Sequence, residues 1–147
     1  MKRSKKLNPI VELAVKATKE ALIKVGQSNT VWLKDTQQEE ELHRYKAEYL
    51  SRLRQVDNSL VSAQKVLELR AFLESLDQAI AAQQQQVSIS LKSLQHQQQL
   101  WQQVRQKEQA MNNLVSRYQQ EEMYIELKQE QQENDEHNTA QWVRKPK

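Results

Sequence analysis

Cysteine is absent from this sequence, glycine occurs once, proline twice, and aromatic residues make up 5% of it. Each shortage excludes something. Without cysteine there are no disulfides and no thiolate metal sites, a composition that suits a reducing compartment such as the cytosol. One glycine cannot build a phosphate-cradling loop, and with two prolines it supplies far too little turn chemistry for a sheet with its hairpins. No stretch approaches the ~20 consecutive apolar residues of a membrane span. The basic start MKRSKK is followed by LNPIVELAVKATKEALIKV, whose charges interrupt the apolar run too often for a secretory signal. Charge of one sign is also lacking: 22 basic and 19 acidic residues are mixed along the chain, and a net charge of +3 gives no reason for nonspecific nucleic-acid binding. The three histidines, His43, His96 and His137, lie far apart and form no H-E-x-x-H pair. The carboxylates of Glu39 to Glu41 and of Asp135 and Glu136 have no apolar cleft in the pattern around them and read as solvated faces. The sequence thus presents no catalytic, cofactor-binding or metal-ligating set, and the expectation is a non-enzymatic protein without a cofactor or a small-molecule substrate.

What is present is helical periodicity. In IAAQQQQVSISLKSLQHQQQLW the glutamines hide a repeat, because Ile80, Val87, Leu94 and Trp101 recur every seven residues, and the phase extends back to Leu73 and Val66 and on to Val115. Gln83, Ser90, Gln97 and Glu108 fall on the same seam and lower its stability relative to an all-leucine one, while fixing register. A first stripe runs through Leu7, Val11, Ala14, Thr18, Ala21, Val25, Ser28 and Trp32, then Leu42, Tyr49, Leu53, Val56 and Leu60. Asn8 and Pro9 suit the start of that helix as cap and first residue. Its weak part is DTQQEEE at Asp35 to Glu41, a turn beyond the locally unfavourable Gly26, where a bend or splay is expected. The phase breaks after Leu60, and Asp57, Asn58 and Ser59 are residues that end one helix and cap the next. With only 37% hydrophobic residues a layered globular core cannot be filled, so helices must pair along narrow stripes. The fold class expected is all-α, a long two-helix antiparallel coiled-coil hairpin with unequal arms. Helix one spans about 8–56, the turn about 57–62, helix two about 63–133 and a C-terminal tail 134–147, all in one unit. A single unbroken helix that finds its partner in a second chain is the competing arrangement.

If the chain folds back near residue 60, antiparallel counting sets residue i opposite roughly 120 minus i, and Leu7 meets the neighbourhood of Asn113. The second stripe continues past that point through Val115, Tyr118 and Ile125, with Leu114, Met123, Tyr124 and Leu127 beside it. Some ~30 Å of helix is then left without an intrachain partner. It reads either as a binding surface or as a frayed end leading into the polar KQEQQENDEHNT. Nearer the turn, Leu42, Tyr45 and Tyr49 face the region of Phe72, Leu76 and Ala79, with Gln38 and Gln83 one turn further along. Leu42, Tyr49 and Leu76 are stripe positions; Tyr45, Phe72 and Ala79 lie beside the stripes. A locally thick core and a partner-binding hot spot both fit that pattern.

The array of Gln38, Leu42, Tyr45 and Tyr49, the segment FLESLDQAI from Phe72, Trp101 and the late NDEHNTAQWVRK resemble the FliJ family of flagellar export proteins over nearly the whole chain. The resemblance implies a small antiparallel coiled coil of the bacterial flagellar type III export apparatus, a stalk or chaperone-like component held by the hexameric export ATPase and linking it to the transmembrane export gate. It implies a cytoplasmic protein, peripheral at the cytoplasmic face of the membrane, with export chaperones as further partners. Carried over by position, the gate-binding patch is Gln38, Leu42, Tyr45, Tyr49, Phe72, Leu76, Ala79 and Gln83. The ATPase-engaging end is formed by Leu7, Val11 and Ala14 of helix one with Leu114, Val115, Tyr118, Met123 and Ile125 of helix two. The competing functions are the matching stalk of a virulence type III secretion system and a membrane-surface amphipathic helix at the basic N-terminus. A basic-zipper DNA binder is a poor fit, because no Lys/Arg cluster precedes a parallel zipper beyond the first six residues.

Overall fold

The computed structural model describes residues 2–55 and 62–144. Among them there is no strand, and the helices are α1 (Arg3–Lys6), α2 (Asn8–Gln55) and α3 (Ala63–Arg144). Asp57, Asn58 and Ser59, expected to form the turn, lie outside the described residues, as do the seam positions Val56 and Leu60. Ser62 caps α3: its hydroxyl accepts the Lys65 backbone N–H at 3.2 Å, satisfying one of the donors that a helix start leaves open.

One boundary follows the sequence-based expectation and one differs. The long first helix starts at Asn8 as expected, and the short α1 precedes it, with Leu7 joining the two at φ −83° and ψ −12°, right-handed helical values. Pro9 has no N–H to give to the carbonyl four residues back, so one rung is missing, but Val11 still donates to Leu7 at 2.9 Å. The expected tail 134–147 is helical as far as Arg144. Glu136, Ala140, Gln141 and Arg144 are good helix formers, and no Gly or Pro intervenes before Pro146. Thr139 donates its hydroxyl to the Asp135 carbonyl at 2.7 Å, and Gln141 contacts the His137 ring at 3.1 Å.

The chain divides into two compact units, Met1–Lys19 with Gln102–Lys147, and Glu20–Trp101. In each, the first helical arm packs antiparallel on α3, giving the all-α hairpin of unequal arms, 48 residues in α2 against 82 in α3. The pairing follows the counting rule, since partners have numbers that sum to about 120: Thr18 with Val104, Gln38 with Gln83, and Tyr49 with Phe72. These contacts exclude the single unbroken helix.

In the 20–101 unit the covered residues of α3 include Leu69, Leu73, Leu76, Ile80, Gln83, Val87, Ser90, Leu94, Gln97 and Trp101, an unbroken alternation of three and four, with Leu91 partly covered beside it. Leu76, Ile80 and Leu94 are the buried apolar residues, at 5–7% exposure, and all three are on this line. The facing α2 positions include Ala21, Val25, Ser28, Trp32, Asp35, Glu39, Leu42, Lys46, Tyr49 and Leu53. The seam therefore passes straight through the acidic stretch that was expected to bend the helix, and α2 is unbroken there. Asp35 is buried at 8% exposure and Glu39 is partly covered, so that run is not wholly a solvated face. Gln83 stitches the place together by donating its amide to the Asp35 carbonyl at 2.9 Å. The Asp35 Oδ2 and Trp32 Nε1 atoms, one turn apart, are buried without a hydrogen-bond partner. Each such group costs roughly 1–3 kcal/mol, so this layer holds register at the expense of stability.

Two stability outcomes follow for chemical denaturation of the full chain. Leu94→Ala empties a buried seam position and should cost roughly 2–3 kcal/mol, whereas Leu33→Ala, at a residue 53% exposed, should stay within about 0.5 kcal/mol. Asp35→Leu removes an unsatisfied buried acceptor while the Gln83 bond to the main chain persists, and should stabilise by about 1 kcal/mol.

Candidate functional site

The eight residues of the expected gate patch all fall in the 20–101 unit, and the helical repeat explains how they divide. Leu42, Tyr49, Leu76 and Gln83 are seam positions, half-buried or buried. Gln38, Tyr45, Phe72 and Ala79 occupy the position just before a seam residue on their own helices, the g position of a heptad, and in an antiparallel pair the g flanks of both helices lie on one side. The structure brings them together there. Phe72 stacks on Tyr49 with ring centroids 4.5 Å apart at a tilt of 48°, and meets Tyr45 edge-on at 6.2 Å and 74°. Edge-to-face and tilted rings at such separations are favourable beyond their burial, by ~0.5–1.5 kcal/mol. Tyr45 is nevertheless 51% exposed and Phe72 37%, so one aromatic face is anchored and the other open. The Gln83 amide also reaches the Gln38 Oε1 at 3.4 Å, closing the patch one turn away. A Lys46–Asp77 ion pair at 2.5 Å sits beside it, a residue pair that the sequence pattern does not single out. The arrangement has no titrating nucleophile or cleft; what it offers is an aromatic ledge held at fixed spacing by two helices.

The second group falls in the other unit. Leu7, Val11 and Ala14 are half-buried, as are Leu114, Val115 and Tyr118. The expectation that the second stripe loses its partner from about Val115 onward is corrected by α1, which extends the first arm by a turn and adds Ser4 to its seam. Ser4, at 5% exposure, gives both its hydroxyl, at 2.7 Å, and its backbone N–H, at 3.1 Å, to the Glu122 carboxylate. Arg3 sits 5.8 Å over the Tyr118 ring and Lys2 pairs with Glu126. Sequence reading missed this clasp because it treated the lysine-rich start as a lead-in; the signal was Ser4, three residues before Leu7 and so in phase. Open surface begins further on, at Met123, Tyr124, Ile125 and Leu127, which are 53–66% exposed, and resumes at Trp142 and Val143.

Against this geometry stands one family comparison: the model described as Flagellar FliJ protein matches residues 3–147. The chain belongs to the FliJ family. No curated protein and no solved structure matches it. As a FliJ-family chain it is a component of the flagellar export apparatus, from a family of non-enzymatic proteins. No helix among the described residues is long and apolar enough to cross a membrane.

The clasp makes a pH prediction. The Ser4 hydroxyl and then its N–H stabilise the charged form of Glu122, holding its carboxyl below the ordinary glutamate value. That contribution is present above the ordinary value and is lost as pH falls through the lowered one. Lys2 is shifted up by its hydrogen bond to Glu126 and by that charge, so its contribution is present below the ordinary lysine value and fades as pH rises through the raised one. A side-chain NMR titration should find Glu122 titrating below the ordinary glutamate value, and Ser4→Ala should bring it back toward that value.

Proposed function

We propose that this FliJ-family chain is a coiled-coil stalk that joins the hexameric export ATPase to the transmembrane export gate, working at the cytoplasmic face of the membrane without chemistry of its own. The observation that carries the reading is the family match over residues 3–147. The two sets of candidate residues support it by falling one in each compact unit. On this reading the ledge of Gln38, Tyr45, Phe72 and Ala79, backed by Leu42, Tyr49, Leu76 and Gln83, receives the gate. Half-open aromatic side chains on a fixed support lose little entropy on binding and bury a large area, which is what concentrates affinity in a few residues. The other unit, through Leu7, Val11, Ala14, Leu114, Val115, Tyr118, Met123 and Ile125, engages the ATPase ring. Export chaperones are further partners of the same apparatus. Of these residues Met123 and Ile125 are the open ones, so they make the direct contacts and the half-buried six shape the surface around them.

Two binding measurements test the assignment. Tyr45→Ala with Phe72→Ala should weaken gate binding by about tenfold or more, as loss of a hot-spot aromatic does, with the circular dichroism spectrum of helix retained; helix loss would place these rings in the core instead. Met123→Ser with Ile125→Ser in the full chain, both at exposed positions, should weaken ATPase binding, and a chain ending at Glu126, which keeps the Ser4 and Lys2 contacts, should weaken it further. Unchanged binding would remove the projecting segment from the interface.

A further inference from the structure

The repeat of α3 does not stop where its intrachain partner does. With the seam as heptad positions a and d, Val115, Glu122, Gln129, Glu136 and Val143 are a, and Tyr118, Ile125, Gln132 and Thr139 are d. Beyond Tyr118 the flanking e positions are Gln119, Glu126, Glu133 and Ala140, and the g positions are Glu121, Lys128, Asp135 and Trp142. Every residue from Met123 to Val143 is exposed, and the helix is continuous through them. Where the neighbouring turn of this face is covered, the cover is basic or donates hydrogen bonds: Lys2 on Glu126, Arg3 over Tyr118, Ser4 on Glu122.

We propose that α3 from Ile125 to Val143 is one half of a coiled coil whose other half is a partner protein's helix carrying lysine or arginine at its flanking positions. The face is continuous in register with an interface that already exists in the same unit, so it needs no rearrangement to be used. Its a and d positions hold only two large apolar residues, Ile125 and Val143, and flanking charge sets partner choice in such a pair. Three of its six e and g positions are acidic, Glu126 already drawing Lys2, and one is basic. A second copy is a poor occupant, because pairing two of these faces sets carboxylate against carboxylate. The inference deepens the stalk reading, resting on it for the ATPase as the partner and not for the chemistry of the face.

The test titrates the full chain with two synthetic amphipathic helical peptides, alike at a and d, one with lysine and one with glutamate at e and g. The lysine peptide should bind, more weakly as salt is raised, and the glutamate peptide should not. Glu133→Lys combined with Asp135→Lys should weaken the lysine peptide at least about tenfold and gain the glutamate peptide, a swap that simple unfolding does not produce. Equal binding of both peptides, or no effect of the reversal, overturns the inference. Dimerisation that disappears in a chain ending at Glu126 overturns it too, in favour of a second copy. The ATPase separates the two claims. Binding that needs residues beyond Glu126 but ignores the reversal overturns the basic-helix inference and spares the ring assignment. Binding that ignores the truncation, beside a positive peptide result, does the opposite.

Discussion

Everything in this chain depends on two helices covering one another along a stripe only a side chain or two wide. With 37% hydrophobic residues and eight aromatics in 147, neither arm can bury its apolar face by folding into layers, and neither is stable alone on propensity. Burial is accordingly sparse: among the described residues Leu76, Ile80 and Leu94 are the buried apolar side chains, and even these keep 5–7% exposure. Each contributes ~1.5–3 kcal/mol, and the layer at Asp35 and Trp32 takes some of that back. The result is a fold in which register is tightly specified and overall stability is modest.

That economy also leaves surface available. In a globular domain Tyr45 and Phe72 would be swallowed by a core; in a two-helix pair the g flank has nothing above it, so an aromatic there is supported from below and open on top. The same logic applies to α3 where its partner ends, since a helix can outrun its cover without unfolding when its residues are good helix formers. Binding surfaces thus arise from the architecture itself, as flanks and overhangs, without a cavity being built.

Most of the fold was legible in the sequence because period seven survives heavy substitution. Ile80, Val87, Leu94 and Trp101 carried the phase through a run of glutamines, and Gln83, Ser90, Gln97 and Glu108 were assignable to the seam by position alone. The antiparallel register followed from where that phase breaks. Three features were not legible, each for a local reason. Asp35 and Glu39 stand on the stripe as charges, which predicts a bend and a solvated face; their cover and the unbroken helix come from packing and the Gln83 bond to the main chain, which charge does not signal. Ser4 continues the first stripe, but a small polar residue among lysines gives no apolar signal, and its value lies in a hydrogen bond to a carboxylate 118 residues away. Residues 134–144 stay in register, but Val143 is their one large apolar seam position, so the segment has the composition of a tail. For the patch, the sequence gathered the right neighbours, since Tyr45, Tyr49 and Phe72 do meet; it could not say which ring faces remain open.

The absence of cysteine makes the central claim, antiparallel pairing within one chain, directly measurable. Gln38→Cys with Gln83→Cys places two thiols at positions whose long side chains now meet at their tips, within reach of a short bismaleimide. Treated with that reagent at low protein concentration, the double variant should give an internally crosslinked monomer, confirmed by the mass of the linked peptides. A crosslinked dimer, or no bond at all, would contradict the account.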